Sequence, residues 1–143
     1  MEHKLFVYGS LRSDFESRIG KQLKLFGNKL GVGYAAGRIF DLGMYPGFVP
    51  GGSEKVEGDV IEIFENQEAI LKDLDEFEGI STPLKTTDEY KRELIKVDIK
   101  GNIHECWVYV YQGDTTNLKH VRSGNYLDYI KDSPPHWGFI NSI

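Results

Sequence analysis

Two places in this 143-residue chain carry side chains suited to proton transfer or anion binding. The first is the carboxylate pair of LDEFEG, Asp75 and Glu78. A helix over 67–78, stepping about 100° per residue, gathers Ile70, Leu71, Leu74 and Phe77 into one apolar stripe. Glu76 points to the opposite side. Glu78 follows Leu74 by four residues and Leu71 by seven, so it shares the buried side, and Asp75 sits at the stripe's edge. An inward carboxylate at the last turn is costly unless it is partnered or used. Its desolvation would raise its pKa toward the range of a general acid or base at neutral pH. The same spacing admits a plainer outcome. Helices fray near a glycine such as Gly79, Glu78 then bends out to water, and Asp75 pairs with a Lys or Arg of a neighbouring strand.

The second place is LFVYGSLR, residues 5–12, where an apolar run breaks at a glycine, a hydroxyl and an arginine. Such a turn either punctuates a strand or aims backbone N–H groups at an anion, with glycine allowing close approach. Arg12 either adds charge to such a site or is a surface arginine. Tyr111, at the end of VYVY, either brings its hydroxyl to the site or packs within the strand.

Holding these groups requires a frame, and the pattern predicts strands more often than helices. KLFVYGSL is the first strand, YAAGRIFDL (34–42) a second, and DLGMYPGFVPGGSEK reads as turns and a loop. VEGDVIEIFE (56–65) alternates and then changes face, which predicts a bulge or a switch near Gly58. KRELIKVDIKG and IHECWVYVYQG read as an antiparallel hairpin turning at Gly101-Asn102. Helices are expected at 67–78 and around 124–131, the latter stopped by Pro134 and Pro135. With no repeat or linker, residues 1–143 read as one domain.

Several chemistries find no support. The net charge of −5 argues against a nucleic-acid footprint. His3, His104, His120 and His136 lack the paired spacing of metal ligands, so no metal site is expected. GVGYAAG (31–37) has its last glycine one position late for a dinucleotide loop and is followed by no helix. No phosphate-binding GxxxxGK[ST] loop occurs. The single cysteine, Cys106, reads as a core residue of a strand. Ser10 has a nucleophile's hydroxyl but no GxSxG elbow. No apolar stretch approaches a membrane span or a secretory leader. A cytoplasmic monomer without membrane association is the expectation.

YGSLR, YPGFVPG, VEGDVIEI, LDEFEG, a downstream Tyr-Lys-Arg and the VYVY strand follow one another in an order that resembles the γ-glutamylcyclotransferase-like, or avirulence-induced-gene-like, family. The resemblance runs from about residue 4 to about residue 130. It implies an α+β fold, a small mixed and mostly antiparallel β-barrel with flanking helices. It also implies release of 5-oxoproline and a free amine from a small γ-glutamyl substrate, with no cofactor. By that resemblance Tyr8, Gly9, Ser10 and Leu11 hold the glutamyl part and Glu78 is the acid–base, while Tyr90 and Arg92 take structural roles. The chain departs from the family in placing Tyr90 twelve residues after Glu78, where some members have about half as many. The tail SPPHWGFINSI has no counterpart there. Two other readings stay open: a non-catalytic binder of small carboxylates, and a hydrolase acting through Ser10.

Overall fold

The computed structural model describes residues 3–9, 18–43 and 45–130. Five strands close into a barrel. They are β1 (Lys4–Val7), β2 (Gly27–Asp41), β3 (Pro46–Ile63), β4 (Tyr90–Ile99) and β5 (Asn102–Tyr111). Around the ring, β1 pairs with β3, β3 with β2, β2 with β4, β4 with β5, and β5 with β1. All these pairings are antiparallel except the last, where Leu5 lies beside Trp107 in parallel. A two-residue strand, β6 (Lys119–His120), extends the end of β2. Among the described residues, three helices flank the barrel: α1 (Arg18–Phe26), α2 (Gln67–Phe77) and α3 (Tyr126–Ile130).

β1 and the end of β5 read as near-continuous apolar runs because both faces are covered there, whereas β2 and β4 leave one face partly exposed. Phe6 and Tyr8 point into the barrel with Val56, Val60, Cys106 and Val108. Leu5 and Val7 face outward and join Ile61, Ile63 and Tyr109 beneath Ile70, Leu71 and Leu74 of α2. Each fully buried aliphatic contributes about 1.5–3 kcal/mol. This two-sided burial also explains the change of face expected near Gly58. Pairing is continuous through Gly58; Val56 and Val60 fill the barrel, and Ile61 and Ile63 pack under α2. The irregularity lies instead on β2, between Lys29 and Gly31.

Other boundaries also move. The second strand starts at Gly27 rather than residue 34, and the segment read as a loop after Asp41 becomes the first half of β3, from Pro46. Residues 51–54 loop out of the pairing, between Gly37 opposite Pro50 and Ala36 opposite Lys55. GVGYAAG is thus strand, which agrees with its exclusion as a nucleotide loop. The hairpin turns one residue earlier than expected, at Lys100-Gly101, both with positive φ (50° and 89°), between paired Ile99 and Asn102. Helix α1 was not expected from the sequence, and Pro134, Pro135 and the C-terminal tail lie outside the described residues.

Candidate active site

Glu78 ends up where the helical wheel puts it, but not as a helical residue. Helix α2 stops at Phe77, and Glu78 is its C-cap. Gly79 adopts φ +74°, a left-handed conformation that glycine takes without strain. The N–H of Gly79 then donates to the Glu76 carbonyl (3.1 Å) and that of Ile80 to the Asp75 carbonyl (2.9 Å). This double closure is a Schellman motif. It satisfies the helix's terminal carbonyls and fixes the backbone of Glu78, whose own N–H bonds the Leu74 carbonyl at 2.9 Å. The helix end is therefore locked.

Beside it opens a cavity of about 340 Å³ between α2 and the edge of the barrel. Glu78 lines it, together with Tyr8, Gly9, Tyr45, Glu89 and Tyr90. Although Glu78 keeps some contact with solvent, its carboxyl is closely surrounded. Desolvation first, then the nearby carboxylates of Glu89 and Asp75, push it up from 4.5 to about 7. The helix C-terminus is also the unfavourable pole for an anion.

The aromatic groups of the cavity are anchored by their hydroxyls. Tyr8 donates to the Tyr109 carbonyl at 2.7 Å and accepts the Phe48 N–H at 3.2 Å, so one phenol ties β1 to β3 and β5. Tyr90 donates to the Pro46 carbonyl at 2.6 Å. What these two offer a ligand is ring surface. Tyr45, which the sequence did not single out, hydrogen-bonds Glu89, and that bond, followed by burial, pushes its phenol up to about 12. Gly9 presses on Pro46; a Cβ there would come within 3.0 Å of that ring.

Asp75 takes the strand partner foreseen for it. Arg92 on β4 donates to both its oxygens (2.8 and 3.2 Å), and Tyr109 donates to the same carboxylate at 2.8 Å. The guanidinium also stacks 4.3 Å above Trp107. Asp75 and Arg92 line a separate hollow of about 400 Å³ on the other side of α2, and Tyr109 connects them to the first cavity.

Of the residues expected at the site, Tyr8, Gly9 and Glu78 are brought together. Tyr111 is not among the cavity's lining; its ring packs edge-on against Tyr90, 6.1 Å between centroids, and over Gly47. Ser10, Leu11 and Arg12 lie outside the described residues. Phe77, placed in the apolar stripe by periodicity, is 41% exposed at the cavity rim. The missed residues Tyr45 and Glu89 sit in or beside loops, where no periodicity reports on direction; only YPG and the approach to Tyr90 marked the neighbourhood. Among the described residues no three His, Cys, Asp or Glu are grouped to hold a metal ion. No described helix is long and apolar enough to cross a membrane.

A family model described as gamma-glutamyl cyclotransferase, AIG2-like, matches residues 5–128. The gamma-glutamylcyclotransferase family protein YtfP of Escherichia coli is 35% identical over 130 residues, covering 90% of this chain and 99% of that one. The gamma-L-glutamyl-butirosin B gamma-glutamyl cyclotransferase of Niallia circulans is 34% identical over 112 residues, 77% of this chain and 67% of its own. The solution structure of ytfP from Escherichia coli superposes with a TM-score of 0.63 at 33% identity, over 88% of this chain and 97% of that one. A solved gamma-glutamyl cyclotransferase shares the fold, with a TM-score of 0.54 at 17% identity over 82% and 68% of the two chains.

Proposed function

Since the chain belongs to the gamma-glutamyl cyclotransferase, AIG2-like family, we propose that it converts a γ-glutamyl amide into 5-oxoproline and a free amine, with Glu78 as acid–base. The observation that carries this reading is the locked C-cap carboxyl of Glu78, lining a cavity and poised at about 7. The α-amine of the substrate is protonated at neutral pH and must lose a proton before it attacks. A carboxylate with a pKa near the working pH accepts that proton efficiently. The nitrogen then bonds to the γ-carbonyl carbon, closing a five-membered ring. When the tetrahedral adduct collapses, the bond to the other nitrogen breaks and Glu78 returns the proton to the departing amine. The α-nitrogen gives up two protons in all, one before attack and one as the ring forms, and the departing nitrogen takes up both and leaves as an ammonium; no water is consumed.

The substrate's α-carboxylate stays on the ring carbon throughout and serves as a handle. The strand-to-turn corner at Gly9 is the natural place to grip it, because main-chain N–H groups there can approach an anion closely. Fixing that end folds amine onto carbonyl and supplies part of the rate through orientation.

The test follows 5-oxoproline by mass spectrometry with γ-glutamyl dipeptides and γ-glutamyl-ε-lysine, comparing wild type with Glu78→Gln. The expected result is lactam from the wild type and a loss in kcat of roughly 10²- to 10⁴-fold in the variant. Free glutamate in place of lactam would overturn the reading and favour hydrolysis through Ser10. Binding of small carboxylates with no turnover of any γ-glutamyl compound would favour a binding module.

A further inference from the structure

The described residues lining the cavity include two charged side chains, Glu78 and Glu89, and no Lys, Arg or His. On the reading above Glu78 carries out proton transfer and Glu89 helps raise its pKa, which leaves open what the charge of Glu89 does to the substrate. It is not a loose surface acid. The Gln112 N–H donates to its carbonyl at 2.8 Å, and Tyr45 hydrogen-bonds its carboxylate. The loop that delivers it is closed on itself. Asp88 accepts from the Ser81 N–H (2.8 Å), the Ser81 hydroxyl (2.7 Å) and the Lys85 N–H (3.1 Å), and Gln112 Nε2 donates to the Asp88 carbonyl at 2.9 Å. Glu89 is thus a solvent-facing carboxylate held at the cavity mouth.

A γ-glutamyl compound offers two positions for a cation. One is its own α-ammonium, but a carboxylate beside that group would stabilise the protonated form and oppose the attack. The other is the leaving half. Of the substrate's two cationic positions, Glu89 favours reaction only there, with the exposed Phe77 ring at the rim giving an alkyl stem an apolar surface.

Resting on the cyclotransferase reading, we propose that Glu89 selects γ-glutamyl amides whose leaving amine carries a second, positively charged group at the end of an aliphatic stem. Complementary charge at an open mouth acts modestly and is weakened by salt. The probes are three γ-glutamyl amides of similar length whose leaving amines are diaminobutane, pentylamine and γ-aminobutyrate, ending in ammonium, methyl and carboxylate. At low salt, kcat/KM should fall in that order. Glu89→Gln should reduce the ratio of ammonium to methyl substrate roughly 3- to 10-fold, rising salt should shrink it in the wild type, and Glu89→Lys should reverse the order. Equal rates on all three with the wild type, or an equal loss on all three in Glu89→Gln, would overturn the inference; the latter would confine Glu89 to tuning Glu78 or to the glutamyl half. If the wild type forms lactam from neither these amides nor γ-glutamyl dipeptides, the cyclotransferase reading fails and this inference with it. Lactam formation without charge preference overturns this inference alone.

Discussion

At the scale of single residues, a raised carboxyl pKa is also a statement about stability. Glu78 has an ordinary value of 4.5 in the unfolded chain and about 7 in the fold. Between these values the native state keeps a proton that the unfolded state has released, so stability falls as pH rises through the window. The full penalty, roughly 3 kcal/mol, stands above pH 7 and vanishes below 4.5. Glu78→Gln should therefore be more stable than wild type above pH 7 by up to that amount and nearly equal to it below pH 4.5. Urea midpoints on both sides of the window would show it, and a pH-independent difference would refute the assignment. On the proposed function, Asp75 would act through Glu78 as a positioning residue. Its charge raises the Glu78 pKa, and the Arg92 pair holds it in place. Asp75→Asn removes that anion and leaves Arg92 unpaired, and both changes favour ionised Glu78. The limb of the pH–rate profile on which the base ionises should move to lower pH, at a stability cost of about 1–3 kcal/mol. A purely structural Asp75 would change stability and leave that limb where it was.

At the scale of elements, the end of α2 matters more than its length. A Cβ on Gly79 would meet nothing within 4 Å, so Gly79→Ala tests conformation without a clash. We expect a stability loss of about 1 kcal/mol from the positive φ, and a larger proportional loss in kcat as the C-cap unlocks and Glu78 shifts. Thermal melts and kinetics on one preparation would separate the two; kcat retained in full would show that Glu78 does not depend on the motif. Much of this element was legible in the sequence. The 3.6-residue period of Ile70, Leu71 and Leu74 gave the helix and its buried face, and Gly79 gave its stop. Chain order and spacing of short motifs carried the family resemblance. Three kinds of feature were not legible. Helix α1 (RIGKQLKLF) is short and strongly charged, with its packing decided by distant partners. The segment after Asp41 reads as loop because glycine and proline punctuate it, yet the long pairing with β2 makes its ends strand. The face of Glu89 depends on a loop closed by Asp88, a local hydrogen-bond pattern that periodicity does not record.

At the scale of the whole molecule, the site lies at the barrel's edge, bordered by Phe6 and Tyr8 of the interior and by Leu5, Val7 and Tyr109 of the outer wall. The barrel interior is filled by side chains such as Phe6, Phe48 and Val108, and Cys106 is fully buried among them. The outer wall beneath α2 is where strand and helix leave a gap. That wall is assembled from distant stretches of chain: β1 registers with Asp59–Glu62 on one side and with Trp107 on the other. The geometry around Glu78 therefore forms only when the ring is closed.

That closure is watched from inside by three hydroxyls. Tyr8, buried between strands, and Tyr90 and Tyr109 on the wall all have phenols raised well above their ordinary value of 10, by burial first and by neighbouring groups after it. In the folded protein these three stay un-ionised where exposed phenols have already become phenolate. During an alkaline titration the near-ultraviolet phenolate band should first rise only part of the way. The remaining absorbance should appear in one cooperative step that coincides with loss of the far-ultraviolet circular dichroism. The chain would then carry its own optical gauge of whether the barrel is shut, with no dye or tag added.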